Sequence, residues 1–188
     1  MARIKEKISW VLSDDINIDP TQDVDVLKVV GPLWGSWQTW RSCQTDNVIC
    51  HDQIKAADFI QRNFQSKCNL YISDSTHSSL DRPEGVQVYA GEFVHDVIRQ
   101  DEIVAMHLAA TTSDIVVLLG WDLTEIEPGS DRFQNHQIRH HRNLTKQAFI
   151  TYDHIQWVVA DHPDKLDPDL TKLPNLVVDT LDNILSFF

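Results

Sequence analysis

The sequence predicts an α/β three-layer sandwich with a mainly parallel sheet, and three observations lead there. Short apolar runs alternate with longer amphipathic stretches, the pattern left by strands joined through crossover helices. The run Ile115–Leu119 (IVVLL) is apolar without alternation, as a strand covered on both faces must be. Just before it, Ile98, Ala105, Leu108 and Ala109 recur at helical spacing. At 188 residues the chain suits one α/β domain spanning residues 1–188.

Taken in order, Ile8–Leu12 reads as the first strand, leaving through Ser13-Asp14-Asp15. The polar stretch after it contains Pro20 and reads as a connection without a crossover helix. Residues 26–30 (VLKVV) read as the second strand, stopped by Gly31-Pro32. In PLWGSWQTWRSC, Trp34, Trp37 and Trp40 recur every third residue, which aligns them on one face of a helix. Residues 51–64 read as a helix with Ile54, Ala57, Ile60 and Phe64 inward, and Asn69–Ser73 as the third strand. DSTHSSLDRPEG is rich in turn formers, and residues 86–90 make a fourth strand closed by Gly91. A helix from about Val94 leads into the strand ending at Leu119 and the exit Gly120-Trp121-Asp122. After a loop with Pro128-Gly129 come a helix over 133–151, with Leu144, Ala148 and Thr151 inward, and a strand over 155–160. That strand leaves through Asp161-His162, and a last strand over 175–178 and a helix over 179–187 close the chain. Right-handed crossovers gather the strands' carboxyl ends along one edge, a Rossmann/flavodoxin-like arrangement in which ligands sit at that edge.

Composition narrows the function classes. Twenty-eight acidic residues against 16 basic ones give a formal net charge of −12, which repels nucleic-acid backbones and anionic membranes. Duplex nucleic acid and membranes are therefore not expected partners. Three cysteines without a CxxC pair fit a reduced, cytoplasmic protein better than a disulfide framework. No signal peptide is legible in MARIKEKISW, and no apolar stretch approaches the ~20 residues of a membrane span.

The candidate chemistry lies on the carboxyl edge. Neither GxGxxG nor a Walker lysine motif is present. GPLWGS (31–36) supplies glycines and Ser36 near a helix start, with Arg41 close by, a setting that could receive an anion. The acids Asp14, Asp15, Asp74, Glu92, Asp122 and Asp161 crowd the same edge. Such a rim suits ribose hydroxyls, amines or a chelated divalent cation better than a bare phosphate. Most of these acids are expected to cap turns and helices, as Asp after a strand often does. Trp121, following Gly120 at the rim, could stack on a planar base. His136 and His140 stand at i, i+4, a spacing zinc can use, but glutamine follows where HExxH has its general base. The pair is read as a solvated helix face.

Three segments, LKVVGPLW (27–34), SDIVVLLGW (113–121) and NLVVDTLDNIL (175–185), together resemble the nucleoside 2-deoxyribosyltransferase-like group of Rossmann-type proteins. The resemblance runs over most of residues 26–188 through short motifs. It implies a ribosyl ligand and N-glycosidic cleavage or transfer, with a glutamate nucleophile on the helix after the buried strand. Here that region reads GSDRFQNHQIRHHRNLTKQAF, without a glutamate or the family's small-residue context, and His140 or His141 lies nearest the expected place. Imidazole is a poor substitute for a carboxylate beside an oxocarbenium-like centre.

The expectation is therefore a domain that takes a nucleoside, nucleotide or related ribosyl compound at the carboxyl edge. Its ligand contacts would be Gly31, Trp34, Ser36, Arg41, Asp74, Gly120 and Trp121. If it is an enzyme, Glu92, Asp122 or Glu125 would supply the carboxylate for glycosidic chemistry. No cofactor is required, although Mg2+ would suit the acidic rim. The competing expectation is a non-catalytic protein whose tryptophans, Trp34, Trp37 and Trp40, anchor a homo-oligomer or a partner.

Overall fold

Every second side chain of strand β1 (Ile8–Leu12) faces the opposite side of a sheet covered on both faces. Trp10 and Leu12 enter one core, Val11 the other, and all three are wholly buried. The computed structural model describes residues 6–14, 23–90, 100–121, 123, 132–160 and 168–187. After β1 come α1 (Asp23–Val30), β2 (Leu33–Ser36), α2 (Trp37–Cys43), β3 (Asn47–Ile49), α3 (Gln53–Gln61), β4 (Asn69–Ser73), α4 (Asp74–Ser79) and β5 (Gln87–Tyr89). Then follow α5 (Gln100–Ala110), β6 (Ile115–Leu119), α6 (Arg132–Thr151), β7 (Gln156–Ala160), β8 (Leu176–Asp179) and α7 (Leu181–Leu185).

The eight strands form one sheet in the order β5-β4-β3-β2-β1-β6-β7-β8, and every pairing is parallel. From β1 the chain steps outward to β5, and α5 then carries it back so that β6 pairs with the other side of β1. β1 registers against β6 over its whole length, from Ile8 beside Ile115 to Leu12 beside Leu119. The strand order reverses there, and the crevice beyond the carboxyl ends at such a switch point is where α/β sheets receive ligands.

Helices cover both faces. Trp10, Leu12, Leu33, Val117 and Leu119 pack with Val24 and Leu27 of α1, Cys43 of α2 and Ile184 of α7. Farther along the same direction of the chain, Val48, Leu70 and Ile72 pack with Ala56 and Phe59 of α3. The other face joins Val11, Val116, Leu118, Trp157 and Val159 to α5 and to Ala148 and Phe149 of α6. The α/β three-layer sandwich is thus present, with a sheet that is parallel throughout. Among the described residues no helix is long and apolar enough to cross a membrane.

Local expectations fail where short β-branched runs mislead. VLKVV belongs to helix α1 and is not a strand. Val24 and Leu27 face the sheet three residues apart, while Val26 is 50% and Val29 87% exposed, an arrangement only a helix gives. The connection from β1 to β2 therefore does contain a crossover helix. Asn47–Ile49 is an additional strand, and DSTHSS after β4 is a helix capped by Ser73, whose Oγ accepts from the Thr76 N–H at 3.1 Å. On α3 Ile60 packs inward as expected, beside the buried Ala56 and Phe59, and Phe64 follows on the same core, but Ile54 is exposed; on α6 Leu144 and Ala148 face inward as expected, with Thr145 and Phe149, but Thr151 is exposed.

Gly31 consequently sits before β2, at the amino edge, where β1 and the end of α1 press together. A Cβ built there would lie 2.1 Å from the carbonyl oxygen of Ile8. Backbone cannot move aside as a flexible side chain would. Gly31→Ala is expected to lower the unfolding free energy by about 1–3 kcal/mol, the usual cost of overpacking. An urea titration would show it as a lower midpoint at unchanged slope. A midpoint equal to or above the wild type's would mean that the β1–β2 gap widens freely.

Candidate functional site

The cluster at the carboxyl ends of β1, β2 and β3 is built mostly from hydroxyls and carboxylates. β1 ends in Ser13 and Asp14; β2 ends in Ser36, which caps α2. The Ser36 Oγ accepts from the backbone N–H of Gln38 and Thr39 at 2.9 and 3.2 Å. It also donates to Asp14 Oδ1, which receives the Thr39 hydroxyl at 2.6 Å as well. Thr39 reaches that far because residue 35 is glycine: a Cβ there would lie 2.9 Å from the Thr39 Cβ. Asp14 Oδ2 makes no hydrogen bond among the described residues and is left for another partner.

Behind Asp14 stands Glu102 of α5, with no exposed surface at all. Its Oε1 accepts the Ser13 hydroxyl at 2.9 Å and the Asp14 N–H at 2.7 Å. Its Oε2 lies 3.3 Å from His141 Nε2 without the alignment of a hydrogen bond, a contact that becomes an ion pair whenever His141 is protonated. His141 in turn lies flat on Trp121, ring centroids 5.1 Å apart and planes 29° from parallel. Glu102 therefore fixes the turn carrying Asp14 and ties β1, α5 and α6 together. Wholly covered, it holds the site's geometry without reaching a ligand itself.

Asp101, the neighbouring residue, turns toward β3. Its Oδ1 accepts the His51 N–H at 2.9 Å. Although it keeps some solvent contact, protein atoms surround the carboxyl densely. This desolvation, augmented by the negative charges of Asp14 and Asp52, pushes its pKa up to about 7 against the pull of the His51 N–H and of Lys55. Burial, followed by the charge of Asp101, also raises the Tyr89 hydroxyl and the Cys50 thiol. Cys50 is thus held as a thiol, the form without nucleophilic reactivity. The buried Tyr89 hydroxyl has no hydrogen-bond partner among the described residues.

Of the residues expected from sequence, Ser36 joins this cluster directly. Gly120 turns the chain out of β6 at the same edge, with φ 75. Asp74 begins α4, exposed beside β4. Since β4 lies three strands from β1, Asp74 stands about 14 Å along the edge from Asp14. Four expectations change place. Gly31 is at the amino edge. Trp34 lies inside β2, 4% exposed, donating from Nε1 to Ser9 Oγ at 3.3 Å. Trp121 is 2% exposed with His141 over its ring, so it belongs to the wall and offers no open face to a base. Arg41 lies in the last turn of α2, away from the carboxyl edge. Glu92, Asp122 and Glu125, the expected catalytic carboxylates, lie outside the described residues, as do Asp15 and Asp161. Nor do the three tryptophans share an exposed face: Trp34 is in the sheet, whereas Trp37 and Trp40 pack beside α3.

Sequence reasoning passed over Asp101, Glu102, Thr39 and His51. Glu102 had one available signal: it precedes Ala105 by three and Ala109 by seven, which places a carboxylate on the apolar stripe of α5. Among the described residues no group of three or more His, Cys, Asp or Glu could hold a metal ion. Comparison of the chain with protein-family models, curated proteins and solved structures finds no match.

Proposed function

We propose that the crevice at the switch point binds a nucleoside, nucleotide or related ribosyl compound, and that cleavage or transfer at its N-glycosidic bond is the reaction it suits. The observation that carries this reading is the pairing of two dissimilar carboxyls, Asp14 and Asp101, at one sheet edge. Asp14 is oriented by two hydroxyls, with Oδ2 left for a sugar hydroxyl or a developing positive charge on the sugar ring. Asp101, with its pKa near 7, can hold a proton at neutral pH and pass it to a departing base. Two carboxyls of unlike environment are what glycosidic chemistry requires. The sequence resemblance to the nucleoside 2-deoxyribosyltransferase-like group supports the same substrate class. Where that group has a glutamate nucleophile on the following helix, α6 here carries His141, and carboxylates come from β1 and α5.

The test is release of free base from nucleosides, nucleotides and dinucleotides, followed chromatographically, beside thermal shifts with the same compounds. Asp101→Asn is expected to cut base release about 100-fold or more, the scale of a lost general acid. Asp14→Asn is expected to weaken the thermal shift, with ligand affinity falling about tenfold. Equal turnover in wild type and both variants would end the catalytic reading. Absence of any ribosyl-dependent shift would end the binding one.

A further inference from the structure

On the α2–α3 side of the sheet, a cavity of about 380 Å³ is lined by Trp37, Trp40, Arg41, Asp58, Arg62 and Phe64. It gathers positive charge in a chain whose net charge is −12. The Arg41 guanidinium lies 4.8 Å from the centre of the Trp37 ring, and Lys55 Nζ lies 6.0 Å from the same ring. Lys67 Nζ stands 5.8 Å from the centre of Phe64. Asp58 is the only acid lining the cavity, and it takes the Arg62 Nε–H at 2.8 Å, leaving the terminal nitrogens of that guanidinium free to point elsewhere. Arg41, Lys55 and Lys67 form no ion pair among the described residues. Trp40 is wedged against Phe59 and Phe64, with centroids 4.8 and 5.0 Å away, which makes the aromatic wall rigid.

We infer that this cavity is a second ligand site, separate from the carboxyl-edge crevice, for a compact anion carrying a planar ring, the chemistry of a nucleoside monophosphate. A guanidinium stacked on an indole has its plane fixed while its N–H edge stays available, which prepares it to take a phosphate or carboxylate by two hydrogen bonds. Arg62 across the cavity supplies a second donor set, and the exposed parts of Trp37 and Trp40 offer surface for a flat ring. The volume falls in the range of small-molecule sites and holds one such unit, not a folded partner. Stacking on Trp37 accounts for the Arg41 conformation. It does not account for two guanidiniums, those of Arg41 and Arg62, lining one aromatic cavity with Asp58 as the one carboxylate in its lining, which an anion would.

The test is an NMR titration with adenosine 5′-monophosphate, adenosine and inorganic phosphate, read at the indole N–H signals of Trp37 and Trp40 and at the Nε–H of Arg41 and Arg62. The monophosphate is expected to shift these signals saturably, with adenosine and phosphate each binding about tenfold or more weakly. Arg41→Ala and Arg62→Ala should each raise its Kd about tenfold; both side chains are exposed, so folding should survive either change. Arg41→Lys keeps the charge without the planar fork and should recover only part of the affinity. Shifts confined to the amides of Ser36, Thr39 and His51 would place the ligand in the carboxyl-edge crevice and overturn the second site. So would an affinity unchanged in both arginine-to-alanine variants, or no shift at about 5 mM monophosphate, a concentration above the weakest useful affinities.

Discussion

Glu102→Ala is expected to lower the unfolding free energy by about 3–5 kcal/mol, the combined scale of leaving two buried donors without their acceptor and of opening a cavity. The change removes the acceptor shared by the Ser13 hydroxyl and the Asp14 N–H, and the carboxyl oxygen facing His141. It also opens a cavity where nothing is exposed to water that might fill it. Glu102→Gln keeps an acceptor oxygen at the same place and should recover a large part of the loss. Denaturant titration of the three proteins decides the matter. An alanine variant within about 1 kcal/mol of wild type would show that β1 and α6 hold their positions without the carboxylate. Because the same contacts orient Asp14, the alanine variant should also lose the thermal shift proposed for ribosyl ligands under conditions where it remains folded.

The second large effect is a loss of stability as pH rises. An unfolded aspartate titrates near 3.9, whereas Asp101 in the folded protein titrates at about 7. Between these values the folded state binds the extra proton, so stability falls as pH rises through that window and is fullest below it. The displacement sets an upper bound of about 4 kcal/mol on the loss, and the residue's remaining solvent contact reduces it to about 1–3 kcal/mol. Asp101→Asn has no charge to desolvate and keeps an oxygen for the His51 N–H. It should match wild type near pH 4 and exceed it in stability at pH 8. Parallel stability curves for the two proteins across pH 4–8 would show that Asp101 is ionised throughout that range.

The central strands were legible because complete burial leaves a mark that needs no partner to interpret: Ile115–Leu119 is apolar at every position. VLKVV carries no such mark. Five residues rich in valine look alike as strand or helix, and only the position of the opposing sheet shows that Val24 and Leu27 form the buried pair. Placing a strand there displaced Gly31 to the wrong edge and hid the crossover helix. Asn47–Ile49 is too short for any period to emerge. In the site, Asp14 could be found because polar residues after a strand mark the carboxyl edge, and Ser36 because a serine beside glycines marks a helix start. Glu102 had only its place on the apolar stripe of α5 to mark it, a faint sign in so acidic a chain, where a helical glutamate is ordinarily solvated. Its burial comes from Ser13, 89 positions earlier, and from His141 on α6. The resemblance directed attention to the helix after β6 for a carboxylate; in the fold the nearer acids enter from the helix before it.

The return of the chain over α5 also sets the order in which the sheet can be completed on the ribosome. β1 acquires β2 early, but its other side waits until residues 115–119 have been made. At typical synthesis rates of about 5–20 residues per second, that interval lasts roughly 5–20 s. Throughout it, Ser9, Trp10, Val11 and Leu12 present an unpaired backbone edge flanked by large apolar side chains, the kind of surface that recruits strands from other chains. The middle of the finished sheet is therefore an open border in the nascent one, and a chaperone that shields it would protect the protein at its most adhesive moment.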